Sequence, residues 1–266
     1  MTRHIVLIAL AALLCGELHA AEPTATSQPA LQPTAPPERP VMKKLFNNTD
    51  LKGWDGDPRL WRNENGIIVG ETTSEANLKT NTFLIYKGDE GGGAEFKDFE
   101  LRLSYRIHGG NSGVQYRSAI VDSGEAANKW RVRGYQAEIA NLAGKDGFLY
   151  HEGGEPTRGY PDKKRYLCYV GDKVLLDETG KSTSVGNLAD KAALAATYRD
   201  GDWNDYVIIA RGNTVKHFLN GYQTVEAIDN DPKSRLMAGI IALQLHQGPP
   251  MKVEFKDVRL QKFDQP

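Results

Sequence analysis

Three short stretches place amides, a carboxylate, a guanidinium and an imidazole at alternate positions. They are Asn111-Ser-Gly-Val-Gln-Tyr-Arg117, Gly134-Tyr-Gln-Ala-Glu-Ile139 and Leu243-Gln-Leu-His-Gln-Gly248. In an extended strand, residues two apart point the same way. Gln115 then shares a face with Arg117, Gln136 with Glu138, and Gln244 with His246. Val114, Tyr116, Ala137, Ile139, Leu243 and Leu245 turn to the opposite, apolar face. A sheet that buries one side and displays Gln, Arg, Glu and His on the other suits a polyhydroxylated ligand such as a sugar.

Each polar group has a chemistry to offer and a plainer alternative. Glu138 is the first choice for a general base, because a polar cleft can tune a carboxyl pKa; otherwise it is an exposed or sugar-binding carboxylate. His246 can serve as acid, base or metal ligand, or sit against a backbone carbonyl. The fixed fork of Arg117 would bind vicinal hydroxyls or an oxyanion, or form an ion pair with Glu138. Asn111, Gln115, Gln136 and Gln244 are candidate sugar contacts, and Gly113 would let a ligand or backbone come close. Glu71 ends the run Gly66-Ile-Ile-Val-Gly-Glu71 and is aimed at the cleft or simply solvated. His151 and Glu152 lie in the Gly-rich excursion from Tyr150 to Gly159, a loop able to close over a sugar or an ordinary surface loop. Trp130, flanked by Lys129 and Arg131, is the best aromatic groove wall, while Trp54 and Trp203 read as core. A divalent metal such as calcium or zinc stays open, since no ligand motif of fixed spacing appears. Ordinary glycosidases need two carboxylates across the scissile bond. Glu138 stands alone in its segment, so that mechanism is not expected.

The elements that must position these groups are strands. Phe99, Leu101, Leu103, Tyr105 and Ile107 alternate with Glu100, Arg102, Ser104 and Arg106, the period of a strand with one wet face. Trp203 to Arg211 reads as another. Val215 to Leu219 and Tyr222 to Val225 flank Asn220-Gly221, the signature of a type I′ hairpin. The last strand, Met251 to Leu260, changes parity near Lys256-Asp257, which predicts a bulge. Helical signals are confined to Leu188–Ala196 and, more weakly, Gly124–Trp130. The fold class is all-β, an antiparallel β-sandwich or jelly roll with few short helices.

The 266 residues carry a formal net charge of -1, with signs mixed along the chain. That balance excludes nucleic acid as the partner, since phosphate binding needs clustered positive charge. Residues 1–20 read as a secretory signal peptide, with Arg3 and His4 before the apolar run Ile5 to Leu14. The run is too short for a membrane anchor, so no transmembrane span is expected in the mature chain. Export would place the protein in a periplasm or outside the cell. Residues 21–42 are rich in Pro, Thr and Ala and read as a linker. Residues 43–263 show no further composition break and form one domain. Beyond the leader, Cys168 is the one cysteine, which excludes an internal disulfide and a cysteine-rich metal site.

Several motifs together resemble the 3-keto-disaccharide hydrolase domain family. They are Leu45-Phe-Asn-Asn-Thr-Asp-Leu-Lys-Gly-Trp54, Asp98-Phe-Glu-Leu101, the stretches around Gln115 and Gln136, Trp203-Asn204, Leu219-Asn-Gly221 and Phe255-Lys-Asp-Val-Arg-Leu260. The resemblance implies a concanavalin A-like sandwich that cleaves glycosides already oxidised at sugar C3, downstream of a sugar 3-dehydrogenase. A ketone at C3 acidifies the C2 hydrogen. A base removes it, charge gathers on the C3 oxygen, and the C1 substituent leaves by β-elimination before water adds back. Many members carry Tyr-Glu-x-Gln where this chain has Tyr135-Gln-Ala-Glu138, a shift of about 6.6 Å along a strand. A non-catalytic carbohydrate-binding module and a cell-surface interaction domain are the alternatives.

Overall fold

A computed structural model of the chain describes residues 31–75, 78–121, 129–155 and 157–263. The expected signal peptide, the first part of the linker and most of the Gly124–Trp130 stretch lie outside the described residues. The rest is an all-β sandwich.

The larger sheet has ten strands. Nine run edge to edge as β14 (Ser182–Asn187), β13 (Asp172–Leu176), β17 (Tyr222–Asp229), β16 (Thr214–Leu219), β15 (Asn204–Arg211), β6 (Phe99–His108), β19 (Met251–Lys262), β4 (Ile67–Thr72) and β3 (Trp61–Glu64), and β1 (Lys43–Lys44) also pairs with β19. The smaller sheet has seven, in the order β12 (Tyr166–Cys168), β9 (Leu149–Glu152), β8 (Val132–Ile139), β7 (Ser112–Ile120), β18 (Ile240–Leu245), β5 (Thr82–Tyr86) and β2 (Trp54–Asp55). A separate hairpin joins β10 (Gly159–Tyr160) to β11 (Lys163–Lys164). Pairing is antiparallel except between β13 and β17, which run parallel.

The core lies between the sheets. Leu103, Tyr105, Ile107, Val253 and Phe255 of the larger sheet meet Val114, Tyr116, Tyr135, Ala137, Ile139, Leu243 and Leu245 of the smaller one. These are the apolar members of the alternating patterns, so register alone decides that Gln136, Glu138 and Gln244 point out of the sandwich. The Asn220-Gly221 turn has φ of 50° and 90°, as a type I′ hairpin requires. The bulge in β19 is present, with Asp257 at φ 54° and a register shift between Lys256 and Arg259. One short helix, α1 (Lys191–Ala195), is capped by the Asp190 side chain accepting from the Ala193 N–H.

The end of the expected linker is docked rather than free. The Thr34 and Ala35 N–H groups donate to the Gly221 carbonyl, Arg102 donates to the Pro36 carbonyl, and Glu38 accepts from Arg259. Among the described residues no helix is long and apolar enough to cross a membrane.

Candidate active site

The outward face of the smaller sheet holds a cleft of about 330 Å³. Gln136 and Glu138 enter from β8, Tyr150 and Glu152 from β9, Gln244 from the end of β18, and Asn111, His246 and Asn81 from the residues just outside β7, β18 and β5. Phe148 and Tyr166 close one side.

Glu138 sits at the centre of this polarity and is only 6% exposed. Asn111 Nδ2 donates to its Oε1 and Gln136 Nε2 donates to its Oε2 at 2.6 Å. Burial pushes its carboxyl up to about 7 against the pull of these two amides, and the nearby Glu152 and Asp146 carboxyls add to the rise. Asp146, itself pushed up to about 6 by burial, accepts from Tyr105 Oη and the Leu142 N–H. A carboxyl that titrates near neutrality at the floor of a cleft is what general base chemistry asks for.

The amides form a chain around it. Gln115 is wholly buried, so it underlies the cleft without lining it. Its Nε2 donates to Gln136 Oε1 while its Oε1 accepts from Ser118 Oγ at 2.7 Å. Gln244 Nε2 donates to Gln136 Oε1 at 3.1 Å and reaches Glu152 Oε2 at 3.5 Å. Gly113 makes room for this arrangement, because a Cβ there would lie 2.5 Å from Gln136 Cδ. Asn81 Nδ2 donates to Glu152 Oε1 at 3.4 Å, and Asn81 Oδ1 accepts from the Gln247 N–H at 3.0 Å. Burial raises the Glu152 carboxyl, opposed by Asn81 and His246. His246 Nδ1 contacts the Gln247 carbonyl, so in the neutral ring Nδ1 carries the proton and Nε2 is left with its lone pair.

Four expected site residues lie elsewhere. Arg117 does not share the face of Gln115. A bulge between Tyr116 and Ala119 gives it φ 47°, and its wholly buried guanidinium donates to Asp98 Oδ1 and to the carbonyls of Lys97, Gly212 and Leu236. Every prong of the fork is engaged, which removes Arg117 as a binder of hydroxyls or an oxyanion. Glu71 lies on β4 in the other sheet, held by Arg62. His151 turns to the core face of β9, its ring against Tyr135 and its Nδ1 facing Arg158 Nη1. Burial and the neighbouring Arg158 depress it to about 3, so it stays neutral. Trp130 packs on Phe83, Ile85, Val132, Ile240 and Ala242 and donates to Asp55 at 2.8 Å, away from the residues that line the cleft.

Glu152, Asn81, Tyr150, Phe148 and Tyr166 are cleft residues that the alternation around Glu138 did not disclose. The signal was present in Tyr150-His-Glu152, where the outer two share a face, but the strand is four residues long. Glu152 supplies the second cleft carboxylate that the sequence was not expected to have. Among the described residues no group of three or more His, Cys, Asp or Glu side chains is placed to hold a metal ion.

A jelly-roll sandwich whose outward sheet carries an amide-lined, carboxylate-bearing cleft defines a carbohydrate-directed domain. The chain belongs to the 3-keto-alpha-glucoside-1,2-lyase-like domain family, which matches residues 41–261. It is similar in fold to a candidate glycosyl hydrolase from Parabacteroides distasonis, at 19% identity and TM-score 0.50 over 84% of this chain and 100% of that one. It is also similar to a Bacillus subtilis protein with a galectin-like fold (12% identity, TM-score 0.49, 84% and 98% of the two chains). A third likeness is to the carbohydrate-binding module CBM66 of Bacillus subtilis (14%, 0.45, 79% and 96%). A search of curated proteins finds no match.

Proposed function

We propose that this protein cleaves 3-keto-glycosides by elimination, with Glu138 as the base that removes the C2 proton. The observation that carries this is Glu138 itself, buried at the cleft floor, aimed by two amides and titrating near 7. Its carboxylate takes the C2 hydrogen, the electron pair forms the enolate of the C3 ketone, and the C1–O bond breaks as the C1–C2 double bond forms. The leaving oxygen takes a proton from the Glu152–His246 side of the cleft. Water then adds at C1, C2 recovers its proton from Glu138, and the net result is hydrolysis. With Arg117 committed elsewhere and both Gln244 N–H groups on Gln136 and Glu152, the half-buried Asn111 amide beside Glu138 is the group at hand to donate to the C3 oxygen. The shift of the carboxylate from position 136 to 138 keeps it on the same face, so it remains a cleft residue. The substrate would come from an enzyme that oxidises a sugar at C3, and the expected leader would carry the chain out of the cytoplasm.

A second reading rests on Glu152. Two carboxylates in one cleft also permit ordinary glycoside hydrolysis. A panel of 3-keto-glucoside and unoxidised glucoside, each with and without EDTA, separates the possibilities. Cleavage of the keto form alone is expected. Cleavage of both favours the two-carboxylate route. Binding without cleavage of either makes the domain a lectin.

A further inference from the structure

The cleft does not end at Phe148 and Tyr166. Both residues also line a neighbouring depression of about 230 Å³, so the two hollows share an aromatic wall. The Phe148 and Tyr166 rings stack at 4.7 Å and 11°, and Tyr169 continues the wall at 5.8 Å from Tyr166. Lys145, Lys163 and Lys191 stand around this second hollow, and no carboxylate lines it. Lys191 is bound to Asp172 at 2.7 Å. Lys145 and Lys163 are exposed and enter no ion pair among the described residues, and Lys163 Nζ lies 3.9 Å over the Tyr166 ring. The groove is therefore polarised. Amides and two carboxylates fill one end, aromatic rings and lysines outside any ion pair the other.

We propose that the second hollow is the leaving-group subsite and that it takes a flat aromatic aglycone bearing an acidic group. The proposal rests on the first hollow holding the sugar that is cleaved. A glycosidic oxygen joins sugar and aglycone directly, so the aglycone must occupy space contiguous with the sugar site, and the shared wall provides it. The Phe148 and Tyr166 faces are turned to each other, Lys163 covers Tyr166 and Tyr169 is stacked on Tyr160 at 4.3 Å, so an incoming ring meets the wall edge to face, an arrangement that aromatic pairs favour. A carboxylate on that ring comes within reach of the flexible Lys145 and Lys163 side chains, while the acidic first hollow repels it.

Binding tests this without requiring turnover. Unoxidised 4-carboxyphenyl glucoside and phenyl glucoside are compared by calorimetry at low and high salt, or by KM if they are cleaved. The carboxylated compound is expected to bind about tenfold tighter at low salt, with the advantage shrinking as salt screens the lysines. The double variant Lys145→Ala, Lys163→Ala should bring the ratio of the two affinities to one at every salt concentration. Equal binding of the two glucosides to the parent protein overturns the proposal. So does a preference for a disaccharide with a uronic acid in the leaving position. Failure to cleave any 3-keto-glycoside would strike the proposed elimination and leave this ratio intact, so the two failures are distinguishable.

Discussion

Glu138 is the residue on which both chemistry and stability turn. Its carboxyl titrates near 7 in the fold against 4.5 for the free group, so between those values the folded protein holds a proton that the unfolded chain releases. Its contribution to stability therefore falls as pH rises through that window. His151 and His217, depressed to about 3 and about 4, act with the opposite sign. They refuse protons that the unfolded chain takes up, and so weaken the fold as pH drops below about 6.5. Glu138→Gln should cancel only the first effect. Chemical denaturation at pH 5 and pH 8 is expected to show the variant gaining on its parent at the higher pH by on the order of 3 kcal/mol. The same substitution should lower kcat by at least about 100-fold. In the parent, kcat/KM should rise through an apparent pKa near 7; a flat profile from pH 5 to 8 would remove Glu138 as the base.

At the scale of elements, the cleft depends on where glycine replaces a side chain in the smaller sheet. Gly113→Ala would drive a methyl group into the Gln136 amide and lift it from the Glu138 carboxylate. Losing that donor raises the Glu138 pKa further, so the activity limb should move to higher pH and KM should rise about tenfold, with Tm changed by only a few degrees. Gly134 and Gly239 flank the bulge in β7 from either side. A Cβ on Gly134 would lie 2.2 Å from Ser118 Oγ, and one on Gly239 would lie 2.4 Å from the Ser118 carbonyl. These contacts explain which parts of the site were legible in the sequence. Alternation placed Gln136, Glu138 and Gln244 on one outward face, because β8 and β18 are regular where those residues sit. The same rule failed for Arg117, since one residue in a bulge reverses the parity of a ladder. Asn81 was not legible, and Glu152 only as part of the loop after Tyr150, because the pairing of β5 with β18 and of β9 with β8, which no local pattern records, is what brings them to the cleft.

For the whole molecule, the described N-terminal segment contributes to the fold although its composition is that of a linker. A chain beginning at Val41 would lack the Glu38–Arg259 pair, the Pro36 carbonyl that accepts from Arg102, and the Thr34 contacts with Gly221 and Gln223. Compared with a chain beginning at Leu31, it should lose about 1–2 kcal/mol and melt about 3–6 °C lower by calorimetry. Topology has a wider consequence. The last strand, β19, lies between β6 and β4 in the larger sheet and also pairs with β1, so three early strands stay without a central neighbour until the final residues arrive. Contacts that span most of the chain form slowly. Until β19 has been made, the larger sheet is split between β6 and β4 and its core stays open. That is the state in which a polypeptide can be threaded lengthwise through a narrow pore.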